Sequence, residues 1–315
     1  MRRGFFTQSA MILLEQAVTI DDVAAALSQF TVARRIDAKG ESDWLGGRPA
    51  LLLAMRPEVN GYVLVDALDQ PWPDSMGDPK ADPKLFGAWG TGWFGPFVYP
   101  GNLKRAAEQS WSWNKASQVT AAHTAFVRIK SSYVLGGETD LRTVPDDYDA
   151  LQELRFVTDV ARTLLGLPQA LCYFNPNGET LHTRQSLESS LAYHAEHRLP
   201  PLDIWTNIRM FQIPEIGWTL MDTVGMGQLD VNDQEAVFRT GSCKGPAICN
   251  FLRNSTDYVR QKGPIILDSN TMDGAGIRWQ ARSLGSGMVP PPRPVLRWLP
   301  QNEPSLPTQF LAKTA

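Results

Sequence analysis

The chain has 315 residues, enough for one large domain or two ordinary ones, and its 43% hydrophobic and 20% charged composition suits a globular fold with a sizeable core. A formal net charge of −3 argues against binding a nucleic-acid backbone directly, which calls for a basic face. Only three cysteines occur, Cys172, Cys243 and Cys249, with no CxxC pair. That argues against a disulfide framework and fits a reducing compartment.

The first residues, MRRGFFTQSAMILLEQ, are basic and then apolar, but the apolar run is too short for a secretory leader. No window reaches the length that crosses a bilayer. The expectation is a cytoplasmic protein without membrane contact. Ala10 to Leu14 is a predicted buried strand. Thr19 with Asp22 forms a capping box for a helix whose apolar positions are Ile20, Val23, Ala24, Leu27 and Phe30. Val32 to Ile36 is the next predicted strand. Leu51 to Met55 and Tyr62 to Leu68 read as a hairpin about Pro57 and Asn60-Gly61.

Residues 69–118 break the pattern. Proline and glycine are dense, no period is visible, and the stretch FGAWGTGWFGPFVYPGN (86–102) crowds aromatic rings between glycines. A segment this long without regular structure is either functional or packed on its own domain; a helix over Leu103 to Trp113 is the one element predicted in it.

Regular structure resumes at His123 to Val134. There Ala125, Val127 and Ile129 alternate with Phe126, Arg128 and Lys130, a strand with one buried face. Asp149 opens a helix with Leu151, Leu154, Val157, Ala161, Leu164 and Leu165 on one side, stopped by Gly166 and Pro168. Ala170 to Phe174 is a strand, Asn175 to Gly178 a turn, and Gln185 to His197 a helix. Ile204 to Ile213 and Trp218 to Val224 pair about Pro214 to Gly217. A helix from Pro246, a ribbon over Gly263 to Gly285 and an extended proline-rich end follow. The fold class is α+β: a mixed, mainly antiparallel sheet with packed helices, plus a smaller β-rich C-terminal part. The expected domains are 1–240, with an insertion at 69–118, and 241–315.

Enzyme signatures fail on inspection. Gly90-Thr91-Gly92-Trp93-Phe94-Gly95 spells G-x-G-x-x-G, yet Pro96 follows and no helix opens there to receive a pyrophosphate. Pro73-Asp74 and Asp78-Pro79-Lys80 echo a metal-dependent nuclease site, but the gap is only a few residues and a proline interrupts it. His194 and His197 share a helix face without a third zinc ligand nearby in sequence. Ser286 lies outside any nucleophile elbow. The expectation is therefore no catalytic residue, no cofactor and no metal. A hydrolase using the loop aspartates with His123 or His182 is the alternative, and a secretion-system adaptor held by its proline-rich end is another.

The stretches WPDSMGDP (72–79), FGAWGTGWFGPFVYPGNLKRA (86–106), HTAFVRIKSSYV (123–134), LRFVTDVARTLLGLPQALCYFNPNGE (154–179) and the blocks between 199 and 230 resemble a family of bacterial immunity proteins. Members accompany type VI-secreted toxins whose nuclease domain is of the restriction-endonuclease-like class. The resemblance implies an inhibitor that binds its cognate nuclease toxin and turns over nothing itself. The family has no catalytic motif to transfer. No site residue carries over from it; the contact residues expected from the irregular segment's own rings and acids are Trp72, Asp74, Asp78, Asp82, Trp89, Trp93 and Phe94. Rigid rings would anchor the partner and the aspartates would form a polar rim facing a basic toxin. Self-association is left open.

Overall fold

The computed structural model describes residues 4–39, 43–135, 143–301 and 303–311; the basic start at 1–3 lies outside them. Its contacts divide the chain into two compact units, Met1–Trp205 and Thr206–Ala315. The α+β expectation holds for both.

The first unit runs β1 (Gln8–Leu14), α1 (Ile20–Ala26), β2 (Val32–Ile36), β3 (Ala50–Arg56), β4 (Gly61–Leu68), α2 (Pro83–Gly90), α3 (Asn102–Glu108), α4 (Ala116–Ala121), β5 (Ala125–Ser132), α5 (Ala150–Leu164), β6 (Ala170–Asn175), β7 (Thr180–His182), α6 (Arg184–His197) and α7 (Leu202–Trp205). Its seven strands lie in the order β2-β3-β4-β5-β1-β6-β7, and every pairing is antiparallel. The capping box is present: Thr19 accepts from the Asp22 amide and Asp22 accepts from the Thr19 amide. Asp149 caps α5 by accepting from Leu151 and Gln152.

β5 departs from its expected half-exposure, because all eight of its residues are buried. The helix α5 packs on β1 and β5 from one side. On the other side the irregular segment folds back over the sheet: Leu85, Ala88, Trp89, Phe94, Leu103, Ala106 and Ala116 join Met11, Leu13, Phe126 and Phe174 in one apolar cluster. Alternation in β5 therefore separates two interiors, and Arg128 and Lys130 lie inside the second. Within residues 69–118 the chain forms three short helices instead of one. α3 ends at Glu108, short of the expected Trp113.

The second unit runs β8 (Asn207–Ile213), β9 (Trp218–Val224), β10 (Asp233–Arg239), α8 (Gly245–Lys262), β11 (Thr271–Gly274), β12 (Ile277–Leu284) and β13 (Val295–Pro300). The strand order is β11-β12-β13-β10-β9-β8. The boundary falls at Trp205/Thr206, upstream of the expected 240, because strands on both sides of 240 share this sheet. β13 is its second departure from expectation. The proline-rich end supplies a central strand, parallel to β10 and antiparallel to β12, with Val295 to Leu299 buried. Removing residues 288–315 would open this core, so such a deletion does not isolate a docking tail. α8 covers one face through Ile248, Phe251 and Leu252 against Met221, Phe238, Trp279 and Trp298.

Candidate functional site

The expected contact residues fall into two groups. Trp72, Trp89 and Phe94 are interior, at 4%, 8% and 1% exposure. Trp72 stands edge-on to Trp89, Phe94, Phe126 and Phe174, with ring centroids 5.1 to 6.0 Å apart. Its indole N–H donates to Asn102 Oδ1 at 3.0 Å, and Asn102, fully buried on α3, donates to the Pro176 carbonyl. These rings hold the segment on the sheet; they are not surface anchors, because their area is already spent on the core.

The acids have local tasks. Asp74 accepts from the amides of Leu103 and Lys104 at 2.9 Å each, closing the N-terminus of α3 from thirty residues away in the chain. Asp78 accepts from Lys80 and Ala81 in an Asx turn, and Asp82 caps α2 by accepting from Leu85. Asp78 remains exposed and Asp74 and Asp82 are half-buried.

Trp93 is half-buried and sits over a charged cluster. The turn that carries it explains the glycines of GTGWFG. Gly92 and Gly95 take φ of +75° and +122°, the Gly95 amide closes on the Gly92 carbonyl, and the bend drives Phe94 into the core while Trp93 turns aside. A Cβ on Gly95 would collide with Ser9 Oγ. The motif is a packing turn and has no helix dipole aimed at a ligand.

Against Trp93 lie Arg128 and Lys130, with Asp66 and Arg48 near enough to act on the Lys130 charge. Asp66 receives Arg128 in a two-pronged pair, Nε at 3.0 Å and Nη2 at 2.5 Å, with both side chains buried. Lys130 Nζ is 4.3 Å from the Phe6 ring centroid and 4.1 Å from that of Trp93. It has no hydrogen-bond partner among the described residues, and neither has Arg48 Nε. Burial, reinforced by Arg128, pulls the Lys130 ammonium well below its ordinary range.

The histidines are engaged individually. His123 accepts the Trp72 amide on Nε2 at 2.8 Å, while its Nδ1 faces the Thr120 carbonyl. That pair of contacts fits only the neutral ring protonated on Nδ1. His182 Nε2 lies 3.2 Å from the Asp203 carbonyl. Burial lowers the pKa of both. His194 Nδ1 meets the Ser190 carbonyl at 2.8 Å and Nε2 stands 3.5 Å from Asp203; His197 caps its own helix through Tyr193 O. Among the described residues no three His, Cys, Asp or Glu side chains gather as metal ligands.

What the irregular segment does offer to solvent was missed in the sequence. Phe86 on α2, Tyr99 before α3 and Trp111 after it are 39%, 37% and 61% exposed. Nothing in their spacing distinguishes them from the buried rings beside them.

The second unit holds a different cluster. Asp222, Asp233 and Glu235 are buried with Arg209, Arg293 and Arg297. Arg209 clasps Asp222 at 3.0 and 2.6 Å, Arg293 reaches Asp222 at 2.5 Å and Asp233 at 3.2 Å, and Arg297 holds Glu235 at 2.7 Å. The Glu235 side chain also accepts the Met288 amide, tying the 285–293 loop to the sheet.

The profile of a domain family described as a domain of unknown function (DUF4261) matches residues 222–299, which is the second unit from Asp222 through β13 and includes all of this network except Arg209. No curated protein and no solved structure matches the chain significantly. No helix among the described residues is long and apolar enough to cross a membrane.

Proposed function

We propose that the chain is a non-catalytic immunity protein that binds a nuclease toxin delivered by a type VI secretion system, through the segment 69–118. The observation that carries the reading is the exposure of Phe86, Tyr99 and Trp111 on a segment whose other rings fasten it to the core. Exposed aromatic side chains on a rigid support bring large contact area at little cost in ordering, which is the character of interface anchors. Asp78 stays exposed on the same segment and Asp82 and the edge of Trp93 are half-exposed, so the rim can meet a basic toxin surface. The resemblance of the sequence blocks supplies the partner class; the net charge of −3 is compatible with steering towards a cationic enzyme.

The experiment is co-expression with the product of the gene adjacent to this chain's own, which the proposal expects to be a nuclease toxin. Restored growth, together with a stoichiometric complex that survives gel filtration, is the expected result. Undiminished killing with the chain abundantly expressed and folded contradicts the proposal.

A further inference from the structure

The cluster under Trp93 is unbalanced in charge. Arg48, Arg128 and Lys130 are buried, at 8%, 0% and 0% exposure, and Asp66 is the buried acid that faces them. Asp69 approaches Arg48 Nη1 to 3.8 Å, but its side chain is 82% exposed and hydrated. Asp43 hydrogen-bonds Arg48 through its backbone carbonyl, at 3.1 Å, while its carboxylate serves the Leu45 amide and Lys84 and reaches Arg48 only by longer-range attraction. Each guanidinium nitrogen of Arg128 is engaged, by Asp66 or by the Trp44 carbonyl. Two cationic donors, Arg48 Nε and Lys130 Nζ, are left buried with no partner among the described residues. Cation–π contact from Phe6 and Trp93 moderates the Lys130 charge but satisfies none of its N–H groups.

We propose that this cluster is a receptor for one small oxyanion, reached by displacement of the Trp93 side chain and held by Lys130 and Arg48. A tetrahedral oxyanion of the phosphate type suits it. It brings several acceptors and negative charge to buried donors that a neutral ligand would leave uncompensated. Trp93 fits the part of a lid. It is half-buried, borne on the Gly92–Gly95 turn, and its outer edge rests against Gly46, where a Cβ would come to 3.5 Å of the ring. Phe94, one residue on, stays fixed in the core, so the indole can swing without loosening the segment.

The test uses the purified full chain and inorganic phosphate against chloride at matched ionic strength and pH. Phosphate at about ten times its Kd is expected to raise Tm by about 3–5 °C beyond the chloride control. Lys130→Met, which keeps the volume and removes the charge, should lose that increment, and the comparison cancels general salt effects common to both proteins. Trp93→Ala should keep the increment and bind faster in stopped flow. Should Lys130→Met fail to fold, Arg48→Gln replaces it, with the same loss expected. NMR of 15N-lysine protein gives an independent reading: the Lys130 Nζ signal shifts on phosphate addition if the anion meets it. No phosphate-specific increment in the wild-type chain, an equal increment in Lys130→Met or Arg48→Gln, or an unmoved Nζ signal would overturn the proposal.

Discussion

The two units contain the same hairpin written twice, and the copies solve the same problems with different residues. PEVNGYVLVD (57–66) joins β3 to β4, and PEIGWTLMD (214–222) joins β8 to β9. Each begins with a 3-10 turn, Pro57–Val59 or Pro214–Ile216, ended by one residue in the left-handed region. Asn60 fills that position in the first (φ 58°) and Gly217 in the second (φ 68°). The shared glycine letter thus has two causes. Gly217 supplies positive φ and has open space where a Cβ would go. Gly61 is needed for close approach, since a Cβ there would come within 2.8 Å of the Tyr133 ring and 2.9 Å of Arg56. Each hairpin then buries an aspartate. Asp66 finds its arginine on the strand after the hairpin, Arg128 of β5; Asp222 finds Arg209 within the hairpin, on β8. The difference matters for charge. The second unit adds two acids and two further arginines and comes out balanced, whereas the first adds only cations.

Breaking each aspartate should therefore separate the units most sharply. Asp66→Asn leaves Arg48, Arg128 and Lys130 buried without their acid and is expected to cost about 3–5 kcal/mol in urea unfolding. Asp222→Asn should cost less, about 2 kcal/mol, because only Arg209 loses its carboxylate outright, Asp233 stays within 3.2 Å of Arg293, and the mutual repulsion of the acids is relieved. Adding Lys130→Met should recover part of the Asp66→Asn loss. Equal costs in the two units, or no recovery, would show that charge balance is not what distinguishes them.

The glycines sharpen the comparison at smaller scale. Gly61→Ala should cost about 1–3 kcal/mol through overpacking, and Gly61→Asn at least as much. Gly217→Ala should cost about 1 kcal/mol, but Gly217→Asn clearly less, as asparagine tolerates the left-handed region that Asn60 already occupies. The same denaturation midpoints check both, and an identical Ala/Asn pattern at the two sites would refute the assignment.

The smallest effect is in pH. All four histidines lie in the first unit. His123 and His182 have folded-state pKa values below the ordinary 6.5, held there chiefly by burial. The unfolded chain therefore binds protons first. Their contribution is complete above pH 6.5 and is lost as the pH falls from there through the depressed folded values. His123→Gln should flatten the fall of Tm between neutral and mildly acidic buffers. A slope unchanged in that variant and in His182→Gln would count against the neutral rings.

Much of the scaffold was legible because its signals are local. The Thr19–Asp22 box, the Asp149 cap and the five-residue strand Val32–Ile36 each depend on neighbours a few residues apart. The irregular segment was not legible, since its helices are short and stabilised by the sheet beneath them. The burial of Arg128 and Lys130 was hidden for a related reason: an alternating strand looks half-exposed whether its second face meets water or a folded-back segment. Of the expected contact residues, the sequence could not tell which rings of the segment point inwards. Trp72 is held by partners at positions 102, 126 and 174, and among the described residues Trp111 by none of comparable reach.

The most direct test of the partner-binding claim is a titration of the toxin with the triple variant Phe86→Ala, Tyr99→Ala, Trp111→Ala. Removing three exposed anchors should weaken binding by at least about a hundredfold while shifting Tm by no more than a degree or two. Trp72→Ala, an interior deletion, should lower stability by about 3–5 kcal/mol. Wild-type affinity in the folded triple variant would contradict the account.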